Sequence, residues 1–240
     1  SASMASVNRY LKGNLAEAIA HQVGATGPSA TVVNACSSST DAIGMGMLWI
    51  RSGVCDVVIA GGADELNRIP LCGFHSLSIM SPEVCRPFDR DRQGLNLGEG
   101  AGVIILESLS HATRRGCSPG MSLAGYASAC DAYHLTAPRP DGSGLEQAIR
   151  KAMAMAGIRP EALAFINSHG TATPDNDRVE SEVLSRVIGQ IPMLSTKGYT
   201  GHTLGAAGAL EAVLTLLSLQ EGWIPASAGF HTLDPQIPLC

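Results

Sequence analysis

Residues 31–40, TVVNACSSST, decide the fold of this chain, because an apolar and β-branched run changes there into small polar residues. The side chains of TVVNA (31–35) favour a buried strand. Ser39 or Thr40 can then cap a helix. The stretch therefore predicts a strand–turn–helix unit with Cys36 in the turn.

The same alternation continues along the chain. Further strands are predicted over DVVIA (56–60), VIILE (103–107), MSLAGYAS (121–128), AFIN (164–167) and PMLST (192–196). Helices are predicted over 14–21 and over about 40–52, 144–156, 178–188 and 206–221. Buried strands that alternate with helices indicate an α/β protein built from βαβ units. A change of composition near 110–120 separates an N-terminal half, residues 1–110, from a C-terminal half, residues 118–240.

The composition limits the classes of function. The chain has 240 residues, 45% of them hydrophobic, which excludes a disordered protein. Its net charge is −5, and an acidic chain lacks the basic footprint of a nucleic-acid binder. No apolar run reaches the roughly 18 residues of a transmembrane helix, so we expect no membrane partner. Seven Cys without a C-x-x-C pair, and no signal-peptide pattern, favour reduced thiols in the cytoplasm.

Cys36 is the first candidate for chemistry. It lies in NACSSS (34–39), between the predicted strand and the predicted helix. A thiol at a helix N-terminus faces unpaired N–H groups and the positive end of the helix dipole, so we expect a lowered pKa and a reactive thiolate. A tight strand–turn–helix also exposes its side chain, by the logic of a nucleophile elbow. The alternative is a small buried Cys that only packs the core.

A second candidate site follows the strand predicted at 164–167. The loop NSHGTATPDND (167–177) places His169 directly after that strand. Ligands bind at the carboxyl ends of strands in open α/β sheets. The hydroxyls of Thr171 and Thr173 can bond a polar ligand. The alternative is a turn whose residues only cap the next helix.

A third candidate is the Gly-rich stretch STKGYTGHTLGAAGALE (195–211). Lys197 and His202 are its polar exceptions, and Glu211 on the predicted helix can pair with Lys197. The stretch lacks G-x-x-x-x-G-K-[ST], so we reject a nucleotide P-loop. The alternative is a tightly packed helix entry with a solvated Lys. One Cys and two His at strand ends together suggest covalent acyl chemistry.

Five motifs occur together and in one order. They are NACSSSTDAIG (34–44), DVVIAGGADE (56–65), CRPFDRDRQGLNLGEGAGVIILE (85–107), HGTATPDND (169–177) and STKGYTGHTLGAAGALEA (195–212). Together they resemble the elongating β-ketoacyl-[acyl-carrier-protein] synthases, condensing enzymes with the thiolase-like fold. The resemblance covers almost the whole chain. It implies an α/β fold of two related βαβ halves in α-β-α-β-α layers, incomplete here.

The resemblance also implies a reaction, the decarboxylative Claisen condensation of a malonyl carrier protein with an acyl group in fatty-acid or polyketide-type synthesis. Cys36 would hold the acyl group as a thioester, and its backbone N–H would form half of an oxyanion hole. His169 and His202 would stabilise the enolate that forms when CO2 leaves. Lys197 would hold the charge network, with Glu211 as its supporting partner.

The substrate and partner contacts follow from the same resemblance. Thr171 and Thr173 resemble positions that contact the pantetheine arm, and Thr136, in DAYHLTAP, resembles a pocket-lining position. No metal and no cofactor are implied, because the substrates are carried on the phosphopantetheine of acyl carrier protein. Acyl carrier protein is the implied partner, with a second subunit in a homodimer or in a heterodimer with another ketosynthase.

Departures from the family pattern keep alternatives open. The family's first βαβ segment and its C-terminal Gly-rich segment with a Phe are missing, so we expect a fragment, an incomplete sequence or a shortened relative. One alternative function is a non-catalytic partner subunit, like the chain-length-determining subunits that usually lack the nucleophilic Cys. Another is a degradative thiolase, which the second histidine, His202, argues against, as it does against the Cys-His-Asn initiating synthases.

Overall fold

The computed structural model describes residues 15–118 and 120–238. The helix predicted over 14–21 is present from its second residue as α1 (Leu15–Val23), and Asn14 lies outside the described residues. No helix within the described residues is long and apolar enough to cross a membrane.

An antiparallel pair of strands forms the centre of the N-terminal half. The elements are α2 (Ser38–Arg51), β1 (Val57–Asp64), α3 (Arg68–Ser76), β2 (Gly100–Glu107) and α4 (Leu109–Arg114). β1 pairs with β2 from Val57↔Glu107 to Asp64↔Gly100. The predicted strand end at residue 60 is wrong, because β1 runs through Gly61 and Gly62. Gly61 permits this close pairing, since a Cβ there would lie 2.1 Å from the carbonyl oxygen of Gly102.

A βαβ unit organises the C-terminal half, as the alternation of strands and helices predicts. The elements are α5 (Ser143–Ala156), β3 (Ile166–Asn167), α6 (Pro174–Val187), β4 (Met193–Leu194), α7 (Lys197–Thr200) and α8 (Ala207–Glu221), with single 3-10 turns at Pro160–Ala162 and Leu204–Ala206. β3 and β4 are parallel, and α6 connects them. The apolar stripe Val179, Val183 and Val187 of α6 packs against Leu145 and Ile149 of α5.

The main core joins the two halves. Ile43 of α2, Ala60 of β1 and Ala209 of α8 form one buried cluster, which the inward side chains of the β1–β2 pair complete. Side chains alternate between the two faces of a strand, so one face of this pair covers α2 and α8 while the other is exposed. The core therefore fixes α2, which begins next to Cys36, against α8, which carries Glu211.

Three further expectations about strands are wrong. Residues 31–35 form no strand, and Val33 is 88% exposed. Residues 121–128 also lack a strand, and Gly125 instead lies against α5, where a Cβ would be 2.3 Å from the carbonyl oxygen of Ala152. An extended segment becomes a strand only where a neighbouring segment pairs with its backbone N–H and C=O groups, and no described strand pairs with either segment. The third wrong expectation is a βαβ unit in the N-terminal half. The strands of a βαβ unit are parallel, whereas β1 and β2 are antiparallel.

Candidate active site

Cys36, His169 and His202 meet in one place although they are far apart in the chain. Cys36 Sγ lies 3.0 Å from Nε2 of His202. The two imidazole rings have their centroids 5.2 Å apart and stand nearly perpendicular, at 85°. One potential ligand atom from each of the three residues lies within 4.8 Å of the other two. The structure therefore brings together a thiol and two imidazoles that the sequence singled out separately.

The turn before α2 presents Cys36. Ala35 has a φ of +47°, a left-handed conformation that costs energy for a residue with a Cβ. The hydroxyl of Ser38 donates to the Ala35 carbonyl at 2.6 Å and closes the turn. The expected lowering of the Cys36 pKa is wrong, because burial raises the pKa of this half-buried thiol more than the Lys197 ammonium lowers it. A position next to a helix N-terminus does not offset that loss of water.

His202 is held on both its backbone and its ring. Its N–H donates to the Asn96 carbonyl at 2.7 Å, and its carbonyl accepts from Gly98 at 3.0 Å. The backbone N–H of Leu204 donates to Nδ1 at 3.2 Å, so in the neutral ring the proton sits on Nε2 and points at Cys36. Burial, with the Lys197 ammonium, lowers the pKa of His202 to about 3, and the ring is neutral at physiological pH.

His169 follows β3 at the carboxyl end of that strand. Its backbone N–H donates to the Glu180 carboxylate at 2.6 Å, and the Gly170 N–H donates to the same carboxylate at 2.8 Å. Nδ1 lies 3.3 Å from Nζ of Lys197. Burial, with the Lys197 ammonium, holds the pKa of His169 well below its usual range. His169 is therefore also neutral.

Lys197 is the cation of the site. It is 2% exposed, and its Nζ donates to the His169 carbonyl at 2.6 Å and to the Glu211 carboxylate. With Nδ1 of His169 these are three acceptors for the three protons of an ammonium. Lys197 thereby sets the second imidazole, because a ring that accepts at Nδ1 carries its proton on Nε2. The Lys197–Glu211 pair that the sequence suggested is present.

The hydrogen bonds to Nδ1 of His202 and of His169 decide whether the site suits a cation or an anion. A Cys and two His within 4.8 Å could bind a metal ion such as Zn²⁺. A histidine that binds a metal through Nε2 carries its proton on Nδ1 and donates it to an acceptor. Here the Nδ1 atoms of His202 and His169 both face donors, the N–H of Leu204 and Nζ of Lys197. The site therefore suits a negatively charged oxygen, to which both Nε2–H groups can donate, better than a cation.

Sequence reasoning missed two buried carboxylates on α6. The Glu180 carboxylate accepts the two backbone hydrogen bonds from the His169 loop described above. The Asp177 carboxylate accepts from the backbone N–H groups of Phe88 at 2.7 Å and Ala172 at 3.2 Å. Burial raises the pKa of Asp177 to about 6. Residues 177 and 180 lie one helical turn apart, but the helix was predicted to begin at 178, whereas α6 begins at Pro174, so the prediction left Asp177 outside the helix. The acidity of Glu180 made it resemble a solvated helix position.

The predicted threonines separate into two groups. Thr171 and Thr173 lie in the loop between β3 and α6, beside His169, with their hydroxyl oxygens 2.8 Å apart. Thr136 is exposed, and its backbone N–H donates to Nδ1 of His134 at 3.1 Å. Among the contacts of the described residues, none joins Thr136 to the Cys36 site. Its assignment to the substrate pocket stays a prediction.

The sequence matches two profiles of one family. Residues 1–112 match the family described as "Beta-ketoacyl synthase, N-terminal domain", and residues 121–231 match "Beta-ketoacyl synthase, C-terminal domain". The chain is 38% identical over 228 residues to 3-oxoacyl-[acyl-carrier-protein] synthase 2 of Synechocystis sp., an alignment that covers 90% of the chain and 55% of that relative.

Two solved complexes contain similar chains. One is a ketosynthase (ApeO) with its chain length factor (ApeC) from Xenorhabdus doucetiae, with a TM-score of 0.87, 40% identity and coverage of 95% of this chain and 56% of that one. The other is a type II PKS acyl-carrier protein with its ketosynthase bound to the hexaketide, with a TM-score of 0.89, 33% identity and coverage of 93% and 58%. The likeness confirms the predicted thiolase-like α/β fold class. The chain spans little more than half the length of these relatives.

Proposed function

Because the chain belongs to the β-ketoacyl synthase family, we propose that the protein is a β-ketoacyl-[acyl-carrier-protein] synthase, an acyltransferase that extends an acyl chain by decarboxylative condensation. In this proposal Cys36 is the nucleophile, His169 and His202 are the catalytic hydrogen-bond donors, and Lys197 and Glu211 support them.

The first step loads Cys36. Its sulfur attacks the carbonyl carbon of an acyl thioester on a carrier protein, and the bond to the pantetheine sulfur breaks. The proton that leaves the Cys36 thiol balances the proton that the released pantetheine thiol takes up. Because burial raises the pKa of the Cys36 thiol, the Nε2–H of His202 at 3.0 Å serves this step by stabilising the developing thiolate.

The second step makes the carbon–carbon bond. A malonyl thioester loses CO2, and the electron pair of the broken bond moves onto the thioester oxygen as an enolate. The two Nε2–H groups of His169 and His202 donate to that oxygen, which is electrostatic stabilisation of developing charge. The enolate carbon then attacks the Cys36 thioester, the Cys36 thiolate leaves, and a 3-oxoacyl thioester is released.

One observation carries the proposal. Leu204 and Lys197 fix the tautomers of two neutral histidines. Nε2 of His202 lies 3.0 Å from Cys36 Sγ, and the ring of His169 stands beside that of His202, with the centroids 5.2 Å apart. Such a pair of donors is preorganised for an oxyanion beside a covalent thioester. No free energy is spent on reorienting the two donors when negative charge develops on the oxygen. Neutral rings also matter, because a buried imidazolium would give up its proton to the enolate.

The partners and conditions belong to the same proposal. The substrates arrive on the phosphopantetheine of an acyl carrier protein, where Thr171 and Thr173 contact the arm. The protein needs no metal or redox cofactor, because loss of CO2 drives the condensation. It acts in the cytoplasm, as a homodimer or as a heterodimer with another ketosynthase. Residues 1–110 and 118–240 are its two halves, the first carrying the nucleophile and the second the imidazoles.

Intact-mass measurement of the protein at its native length tests the first step. The protein is incubated with an acyl carrier protein loaded with a short acyl chain, beside Cys36→Ala and the matched control Cys72→Ala, which removes an exposed thiol. We expect a gain of one acyl group in the wild type and in Cys72→Ala, and none in Cys36→Ala. No gain in the wild type would contradict the synthase and favour a non-catalytic chain-length subunit.

A further inference from the structure

Asp41 lies one turn into α2, and its carboxylate faces the turn that presents Cys36. One oxygen, Oδ2, accepts from the side-chain amide of Asn34 at 2.6 Å and from the hydroxyl of Ser37 at 2.9 Å. Asn34 and Ser37 flank Ala35 and Cys36. A single carboxylate oxygen therefore holds both ends of the strained segment that carries the nucleophile.

The use of Ser37 is unusual for its position. Ser37 is the N-cap residue of α2, where a serine side chain ordinarily accepts a hydrogen bond from the first turn of the helix. Its hydroxyl donates to Asp41 instead, and it accepts from the Asn34 amide at 2.9 Å. The three side chains thus form a closed triangle beneath the turn. Helix capping alone would not require this arrangement.

The second carboxylate oxygen of Asp41 connects this triangle to the other half of the chain. The phenol of Tyr126 donates to Oδ1 at 2.6 Å. The ring of Tyr126 lies on Gly44, one turn further along α2, where a Cβ would be 2.2 Å from Cγ of the ring. Only a glycine leaves room for the ring at this distance. The segment 121–128, which was expected to be a strand, therefore packs against α2 through Tyr126.

The charges agree with this geometry. Although burial favours the neutral acid, hydrogen bonds from Tyr126, Asn34 and Ser37 hold the pKa of Asp41 below its usual value. Burial, with the hydrogen bond to Asp41, raises the pKa of Tyr126 to about 12. At neutral pH the pair is therefore a carboxylate that accepts and a phenol that donates. Charge-assisted hydrogen bonds of this kind are the stronger class in proteins.

We propose that Asp41 is a positioning residue for the nucleophile: its carboxylate holds the turn of Cys36 in its reactive conformation, and Tyr126 holds that carboxylate from the second half of the chain. The proposal rests on the proposed role of Cys36. Asp41 acts through Asn34 and Ser37, and it touches no reacting atom.

The test compares Asp41→Ala, Asp41→Asn, Tyr126→Phe and the double variant Asp41→Ala/Tyr126→Phe in the protein at its native length. Glu83→Gln, which removes a surface partner of Arg86, is the control. Tyr126→Phe keeps the ring on Gly44 and removes only the donor. Two readouts are followed for each variant: the rate of acyl transfer to Cys36 at increasing donor concentration, and the rate of iodoacetamide alkylation at Cys36 across pH, mapped by peptide mass.

Asp41→Ala is expected to lower the acyl-transfer rate constant about tenfold, with the donor concentration at half-maximal rate unchanged, because geometry and not binding is lost. The acyl-transfer rate constants of Tyr126→Phe and Asp41→Asn are expected to lie between those of Asp41→Ala and the wild type. The double variant is expected within about twofold of Asp41→Ala, since Tyr126 acts through Asp41. Alkylation is expected to become faster and its pH midpoint lower, because a loosened turn exposes the thiol.

Several results would overturn the proposal. An acyl-transfer rate constant of Asp41→Ala within about twofold of the wild type would do so, as would single effects that multiply in the double variant. Unchanged alkylation at Cys36 would also contradict it. If Asp41→Ala does not fold, Asp41→Asn and Tyr126→Phe decide by the same criteria. A wild type that is not acylated refutes the proposed function instead, and the alkylation readout then decides on the turn.

Discussion

Leu204 donates its backbone N–H to Nδ1 of His202 at 3.2 Å, and this contact decides the direction of the ring's only proton. Leu204 has a φ of +52°, in the left-handed region that residues with a Cβ rarely adopt. The backbone is thus held in a costly conformation at the point where it faces the imidazole. The outcome is an Nε2–H directed at Cys36, 3.0 Å from its sulfur.

His202→Ala tests that direction. Removing one of two preorganised donors to an oxyanion is expected to lower decarboxylation of a malonyl carrier protein by roughly 10²–10³-fold. Acyl transfer to Cys36 is expected to fall less, because in that step the Nε2–H of His202 stabilises only the developing thiolate, whereas the enolate of the second step loses one of its two donors. The measurement compares CO2 release with the acyl mass gain, and His202→Asn, whose amide keeps an N–H donor, is the matched control. Equal losses in both steps would contradict the assignment.

The pKa of His202 predicts a pH dependence of stability. The folded pKa is about 3 and the ordinary value is 6.5, so between these values the unfolded state binds more protons than the folded state. Stability therefore rises with pH in this window and is lost as the pH falls. Between pH 7 and pH 5 this histidine is expected to cost about 2 kcal/mol of unfolding free energy.

Urea unfolding at several pH values gives the unfolding free energy of the wild type and of His202→Gln as a function of pH. The cost is the amount by which the wild type loses more unfolding free energy than the variant between pH 7 and pH 5. The variant lacks the titrating ring and keeps a polar side chain of similar size. A second readout is the Cε1 proton resonance of His202, which is expected not to titrate between pH 8 and pH 5. A midpoint near 6.5 would show that the ring is not desolvated as the structure has it.

Lys197 gives a prediction about stability. It is 2% exposed and compensates the carboxylate of Glu211, whose pKa burial raises. Lys197→Met leaves that carboxylate without its partner, and breaking a buried pair in this way costs about 3–5 kcal/mol. Lys197→Met/Glu211→Gln, which removes both charges, is expected to recover most of the loss in urea unfolding. A double variant as unstable as the single one would show that packing and not charge is lost.

Helices of this chain are largely predictable from sequence, and the reason is local. α5 ends at Gly157 in the left-handed conformation, and α8 ends in the same way at Gly222, as helix C-terminal glycines do. The apolar period of α2 likewise predicts its length within two residues. A strand, by contrast, needs a second strand to pair with, which a local sequence does not show. The strands predicted over 31–35 and 121–128 are therefore wrong, because no described strand pairs with either segment.

The site was predictable in its residues and not in its electrostatics. Motif order singled out Cys36, His169 and His202, which the structure brings together. The pKa of Cys36 was predicted in the wrong direction, because a sequence shows the helix that follows a thiol but not the burial around it. Glu180 was missed for a related reason, since an acid on a helix gives no sign that it faces backbone N–H groups.

The contact between α2 and α8 sets the distance between the Cys36 turn and the Lys197–Glu211 pair. A Cβ at Gly208 would lie 2.0 Å from the hydroxyl of Thr40 and 2.9 Å from its backbone nitrogen. The hydroxyl can rotate away, but the backbone cannot, so Gly208→Ala must separate the two helices. We expect a loss of about 1–3 kcal/mol in unfolding free energy.

Gly73→Ala is the matched control for this substitution. Gly73 is also a helical glycine, in α3, but a Cβ there meets nothing within 4 Å. Alanine is the better helix former by about 1 kcal/mol, so Gly73→Ala is expected to stabilise the protein slightly. Opposite signs for the two variants in urea unfolding, with slower acylation of Cys36 only in Gly208→Ala, would show that the close approach of α2 and α8 sets the geometry of the nucleophile. Two stabilising substitutions would contradict it.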